Sequence, residues 1–175
     1  MKVAIAGNVC SGKTTLANEL ISYYPHYIKK SFADKIKEIA KELFNMKQKD
    51  RKLLQQIGTN LKLIDDEVWI NYALNSSYNY IIIDDLRFEN EAKKLKENGW
   101  IIIKLNISKE LQVKRIKKTY PNTWLHHINN LNHESEQEFK TLDKYTDLKI
   151  EVDDCKNIFE KVKEYIDLLY IEKNI

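Results

Sequence analysis

Apolar residues follow two rhythms along this chain. Unbroken runs such as Val3-Ala4-Ile5-Ala6, Ile81-Ile82-Ile83 and Ile101-Ile102-Ile103 are apolar on both faces, as strands inside a parallel sheet must be. Longer stretches repeat apolar residues at helical spacing, as Ile36, Ile39, Ala40 and Leu43 do between Asp34 and Phe44. The pattern predicts strands over residues 2–6, 27–32, 80–83, 101–105 and 148–152. It predicts helices over 13–24, 34–44, 51–61, 66–74, 88–97, 109–119 and 157–170. Pro25 stops the first helix, and Asn98-Gly99 is a C-terminal stop for the fifth. Residues 120–135 have poor periodicity and much asparagine, and read as a mobile segment. Strands alternating with helices predict an α/β fold, a parallel sheet covered on both faces.

Bulk properties narrow the setting. A chain of 175 residues reads as one domain over 1–175, able to bury roughly 70% of the surface its unfolded form exposes. The formal charge of +3 comes with no basic block, so nucleic acid is not an expected partner. No apolar run approaches the roughly 18 residues of a membrane span, and the N-terminus does not resemble a secretion signal. Two cysteines, Cys10 and Cys155, are too few for a disulfide scaffold, so a reducing cytoplasm (of a cell or an infected host) is expected.

The densest chemistry follows the first strand. Two of the four glycines, Gly7 and Gly12, frame Gly7-Asn-Val-Cys10-Ser11-Gly12-Lys13-Thr14-Thr15, a complete G-x-x-x-x-G-K-T pattern. Such a loop turns its N–H groups toward phosphate oxygens at the positive end of the helix it opens. Lys13 can reach the terminal phosphates and the Thr14 hydroxyl can bind Mg²⁺. Cys10 occupies a variable position and reads as a small filler. Asp84-Asp85 end the third strand, where a carboxylate can hold Mg²⁺ or its water; spacing does not say which acid does so.

Only three of the 29 basic residues are arginine, namely Arg51, Arg87 and Arg115. In a lysine-rich chain, arginine stands out where a planar fork on phosphate is needed. Arg87 lies beside the acidic pair, Arg115 on the helix entering the 120s, and Arg51 opens the helix containing Gly58. A glycine within a helix costs about 1 kcal/mol relative to alanine. Gly58 therefore marks either a kink or a close ligand approach, with Gln55 and Gln56 suited to reading a base. His126, His127 and His133 lack the spacing of a metal site, and His133-Glu134-Ser135-Glu136 reads as a helix cap.

Several segments together resemble the phage-type deoxynucleoside monophosphate kinases of the P-loop kinase superfamily. They are the phosphate loop, Phe32-Ala33-Asp34-Lys35-Ile36-Lys37-Glu38, and Arg51-Lys-Leu-Leu-Gln55-Gln-Ile-Gly58-Thr59. Trp69 follows, then Asp85, Arg87, Phe88, Asn90 and Glu91, then His133, Ser135 and Glu136. The order covers roughly residues 3–160. Departures are Glu89 in place of a proline, Val152-Asp153-Asp154 in place of an asparagine-aspartate-glycine run, and no arginine after Gly58-Thr59.

The resemblance implies a five-stranded parallel sheet between helices, an acceptor-binding helical region about 33–77 and a lid about 119–136. It implies transfer of phosphate from ATP, with Mg²⁺, to a deoxynucleoside monophosphate. Lys13, Asp85, Arg87 and Arg115 would be catalytic; Gly7, Cys10, Ser11, Gly12, Lys13, Thr14 and Thr15 would hold ATP. Asp34, Lys37, Arg51, Gln55, Gly58, Trp69 and Arg87 would bind the acceptor, and Thr14 with Asp84 or Asp85 the metal. A homodimer is compatible with this reading. The alternatives are a kinase of another small molecule (phosphomevalonate, or a hydroxyl acceptor with Asp34 as base), a nucleotide switch, and a nucleotide-bound structural module. The switch normally carries an Asn-Lys-x-Asp segment, which this sequence lacks.

Overall fold

A computed structural model describes residues 1–129, 131, 138–154 and 157–173. The His133, Ser135 and Glu136 readings therefore lie outside the described residues, as do Cys155 and the side chain of Arg51.

Five strands form one parallel sheet: β1 (Lys2–Gly7), β2 (Ile28–Lys30), β3 (Ile81–Leu86), β4 (Ile101–Ile107) and β5 (Leu148–Val152), in the order β2-β3-β1-β4-β5. The expected α/β class and five-stranded sheet are observed. On one face α1 (Lys13–Tyr23) and the C-terminal helix, here α8 (Ile158–Lys173), cover Val3, Ile5, Ile103 and Ile150 with Leu16, Leu20, Val162 and Ile166. On the other, α4 (Val68–Leu74), α5 (Glu89–Glu97) and a 3₁₀ segment (Glu138–Tyr145) cover Ala4, Ala6, Ile83 and Ile102. Ala4 and Ala6 admit large partners there, among them the buried Trp69 and Trp100.

Between β2 and β3 the chain leaves the sheet as α2 (Phe32–Phe44) and α3 (Arg51–Ile64). Asp50 caps α3 by accepting from the Leu53 N–H at 3.0 Å. The remaining helices are α6 (Lys109–Thr119) and α7 (Trp124–Asn129). Helix α7 lies in the segment read as mobile. It has no buried residues, hence no apolar period to read. Aromatic contacts accompany it instead: Tyr120 stacks on His127 at 3.9 Å and the Lys117 ammonium lies 4.9 Å from the Trp124 ring. Among the described residues no helix is long and apolar enough to cross a membrane.

The register of β3 carries one irregularity with consequences. Ala4 pairs with Ile83, but Ala6 pairs with Leu86, so two steps on β1 face three on β3. Such a bulge bends the strand and re-aims its side chains. Leu86 returns to the face of Ile81 and Ile83, which strict alternation would deny it. The bulge falls on Asp84-Asp85, which the sequence placed at the end of the strand and which lie inside it, one residue short of its last, Leu86.

Candidate active site at the carboxyl edge of the sheet

Strand β1 ends at Gly7, and a Cβ there would collide with Ser11 Oγ and meet the Leu105 carbonyl at 3.2 Å. Only glycine lets the chain turn so close to β4. Gly12 has φ +100° and opens α1 with no side-chain cap, so the first N–H groups of the helix face outward as anion donors. Cys10 also adopts a left-handed conformation, φ 61°. Its carbonyl accepts from Arg115 Nη1 at 3.4 Å, and Gln112 Nε2 donates to the Val9 carbonyl at 3.1 Å. Helix α6 thus grips the loop from the β4 side. Lys13 Nζ lies across the loop, donating to the carbonyls of Gly7 (2.6 Å) and Asn8 (2.9 Å).

The bulge gives the two acids separate tasks. Asp84, 7% exposed, accepts at Oδ2 from the Thr14 hydroxyl at 2.8 Å and from Lys29 Nζ at 2.8 Å. Asp85 turns to the other element: it accepts from Ser31 Oγ (2.6 Å) and from the N–H groups of Phe32 (3.2 Å) and Ala33 (3.1 Å). It is the anchor of the α2 N-terminus. Burial pushes its carboxyl above the ordinary range, partly offset by those hydrogen bonds. Of the two acids the sequence left undivided, Asp84 is the one that faces Thr14, while the oxygens of Asp85 are engaged by α2.

Mg²⁺ fits this donor set. Thr14 and Asp84 are hard oxygen donors brought together, and among the described residues no group of three or more His, Cys, Asp or Glu side chains could hold a metal. A metal that takes most of its ligands from phosphate and water needs no more from the protein.

Arg87 follows the bulge with an exposed side chain, and its loop is fixed from beneath. Glu91 Oε2 accepts from the N–H groups of Arg87 and Phe88, both at 3.1 Å. Glu91 is buried, and burial pushes its carboxyl up to about 6. The Lys62 ammonium sits 4.4 Å from the Phe88 ring centre, bringing a cation from the end of α3 to the same edge.

Other expected acceptor contacts take different forms. A Cβ on Gly58 would meet Ile36 Cδ1 at 3.3 Å, so this glycine lets α3 approach α2. Of the two sequence readings of Gly58, a kink or a close ligand approach, neither accounts for this packing. Trp69 is buried and its indole donates to the Gly58 carbonyl at 3.2 Å, a tie between α4 and α3. Asp34 is exposed and paired with Lys37 at 2.8 Å. Gln55 and Gln56 are exposed on α3. Arg115, expected on a lid, is fixed by Asp154, with Nη2 to Oδ1 at 2.8 Å and Nε to Oδ1 at 3.2 Å. The sequence reading missed Lys29 and Asp154; the first is a polar residue on an edge strand and the second a loop acid, and neither carries a local signal.

A cavity of about 520 Å³ lies beside the loop, walled by Asn8, Lys104, Gln112, Phe139, Asp143 and Lys149. Lys104 is buried in its wall, donating to the Phe139 carbonyl at 2.6 Å and paired with Asp143, which ties the 3₁₀ segment to β4.

No family model matches the chain. It is 30% identical, over 141 residues, to a protein of Acanthamoeba polyphaga mimivirus that bears the provisional name deoxynucleotide monophosphate kinase; the match covers 59% of this chain and 72% of the relative. Among solved structures, an uncharacterised protein of Eubacterium ventriosum superposes with TM-score 0.61 at 16% identity, covering 95% of this chain and 98% of that one. Shikimate kinase of Aquifex aeolicus gives TM-score 0.52 at 20% identity over 99% and 98% of the two chains. The YorR protein of Bacillus subtilis, solved in complex with phosphorylated GDP, gives 0.55 at 16% identity over 100% and 99%. At these identities the structural likenesses establish the shared fold.

Proposed function

The chain belongs to the deoxynucleotide monophosphate kinase family, and from that premise we propose that it moves the γ-phosphate of ATP to a deoxynucleoside monophosphate, giving the diphosphate. The observation that carries the reading is the convergence of Thr14, Lys13 and Asp84 at the carboxyl edge of the sheet. The α2–α3 pair hangs from the same edge through Asp85. One side of the edge suits a nucleoside triphosphate and the other an acceptor.

The acceptor phosphate is largely dianionic at neutral pH, its second pKa being about 6, so no general base is required. An acceptor oxygen attacks the γ-phosphorus, the bond to the β-phosphate oxygen breaks, and ADP leaves. The chain's contribution is position and positive charge. The loop N–H groups and Lys13 hold the β- and γ-phosphates. Arg87, on a loop fixed by Glu91, faces the transferred group. Thr14 and Asp84 would hold Mg²⁺, whose charge neutralises the phosphate oxygens when bound. Arg115 steadies the loop from α6, and the lid expected over 119–136, which falls partly outside the described residues, would close the donor side. Lys37, Gln55 and Arg51 on α2 and α3 are the proposed acceptor contacts, and a cytoplasmic setting is part of the proposal.

The hydroxyl-acceptor alternative needs Asp34 as a base, yet its carboxylate is exposed and held by Lys37. A coupled assay of ADP release across the eight common ribo- and deoxynucleoside monophosphates tests the proposal. Turnover with at least one deoxynucleotide, at higher kcat/KM than its ribonucleotide, is expected. No turnover with any of the eight overturns it.

A further inference from the structure

Lys29 touches the same oxygen as the Thr14 hydroxyl. It lies on the edge strand β2 opposite Ile82, two residues short of Asp84 along β3. From there Nζ reaches Asp84 Oδ2 at 2.8 Å and Asn18 Oδ1, one turn beyond Thr14 on α1, at 3.4 Å. Its neighbour Lys30 points to the opposite face, with its ammonium over the rings of Tyr72 and Tyr78. Alternation along β2 therefore commits Lys29 to the α1 side. It is 29% exposed, whereas Asp84 is 7% exposed.

A carboxylate so far removed from water needs a cation beside it. In the chain alone, Lys29 is that cation. A divalent ion on Thr14 and Asp84 would bring two further charges to the oxygen that Lys29 occupies. Like charges so close in a partly dry site repel strongly. The ammonium has somewhere to go, because its side chain is long, partly exposed and bound to Asn18 only at the limit of hydrogen bonding.

We propose that Lys29 is a displaceable counter-ion of Asp84: it holds the carboxylate toward Thr14 in the free protein and competes with Mg²⁺ for it when nucleotide arrives. Lys29 is thus a positioning residue that sets how strongly nucleotide binding depends on the metal. The inference rests on the assignment of Thr14 and Asp84 as the Mg²⁺-facing pair, but is independent of which acceptor is used.

The test is calorimetric titration of ADP, with Mg²⁺ and with Mg²⁺ replaced by a chelator, into wild type, Lys29→Met and Lys29→Gln. The readout is the ratio of the two Kd values, which measures the coupling of metal to nucleotide. That ratio should rise about tenfold in both variants, within the usual range of such couplings. Melting should fall in the free variants and recover to near wild type with Mg²⁺ and ADP. Lys29→Gln keeps a donor, one bond shorter and without the charge, so it carries the test if Lys29→Met does not fold. An unchanged or reduced ratio overturns the proposal. Failure of wild type to bind ADP in either condition overturns the nucleotide reading itself, which separates the two failures.

Discussion

The Thr14 hydroxyl on α1 donates to Asp84 Oδ2 on β3 at 2.8 Å, joining residues 70 positions apart. Asp85, the adjacent residue, makes no part of that contact and holds α2 instead. The two acids should therefore fail differently. Asp84→Asn should lower kcat by about 100-fold or more, the scale of losing one electrostatic group from a reacting site. Asp85→Asn should leave the ATP KM near wild type, raise the acceptor KM and cost about 1–2 kcal/mol in denaturant unfolding, as loss of a helix cap does. Steady-state kinetics with each substrate varied, together with unfolding curves, checks both. Equal effects of the two substitutions would contradict the division of labour.

Gly58 sits where α3 crosses α2, with room for a methyl only if Ile36 yields. Gly58→Ala should be near neutral, since the tip of Ile36 can shift and alanine improves helix propensity by about 1 kcal/mol. Gly58→Val should cost about 1–3 kcal/mol through overpacking and raise the acceptor KM with it. The double substitution Gly58→Val with Ile36→Ala should regain most of both. Persistence of the KM defect in a double variant with restored stability would return Gly58 to the ligand.

Glu91 gives a pH dependence with a definite sign. Its carboxyl is pushed up to about 6 in the fold from an ordinary value of 4.5. The folded state therefore holds the proton more tightly than the unfolded state. Stability from this group is present in full below pH 4.5 and is lost as pH rises through 6, by about 2 kcal/mol in all. Half-buried Asp85 is shifted in the same direction. Urea unfolding of wild type and Glu91→Gln between pH 4.5 and 7.5 isolates the contribution. The difference between them should shrink or reverse in favour of Gln as pH rises. A constant difference would show that Glu91 does not titrate in this window.

Arg115 spans the phosphate loop and Asp154. Arg115→Lys should raise the ATP KM several-fold, because a single ammonium cannot serve Asp154 and the Cys10 carbonyl with the same fork. Asp154→Asn should have a smaller effect and change the melting temperature little, since Asp154 is exposed and its partner only half-buried. Initial rates at saturating acceptor and a melting curve suffice. An unaltered ATP KM in Arg115→Lys would remove the residue from the donor side.

Local rules carried much of the architecture. The alternation of apolar runs and helical periods needs only neighbours within about ten residues, and it placed all five strands and most helices. The phosphate loop was legible for the same reason, because its two glycines, lysine and threonine are fixed by spacing within one turn. Helix α7 escaped because its described contacts are aromatic ones at its edge, which leave no period of buried residues.

What only the tertiary structure decided depends on partners far along the chain. Sequence presents Asp84-Asp85 as a matched pair, and a bulge set by the pairing of β3 with β1 sends one to Thr14 and the other to Ser31, 54 residues away. Sequence marks Gly58 as unusual, and only folding sets it against Ile36 on another helix. Lys29 was invisible as one lysine among many, since an ion pair acquires meaning only when folding has buried the acid beside it. Spacing determined which chemistry the chain can attempt, and the packing of β2, β3 and α1 determined which atoms face one another.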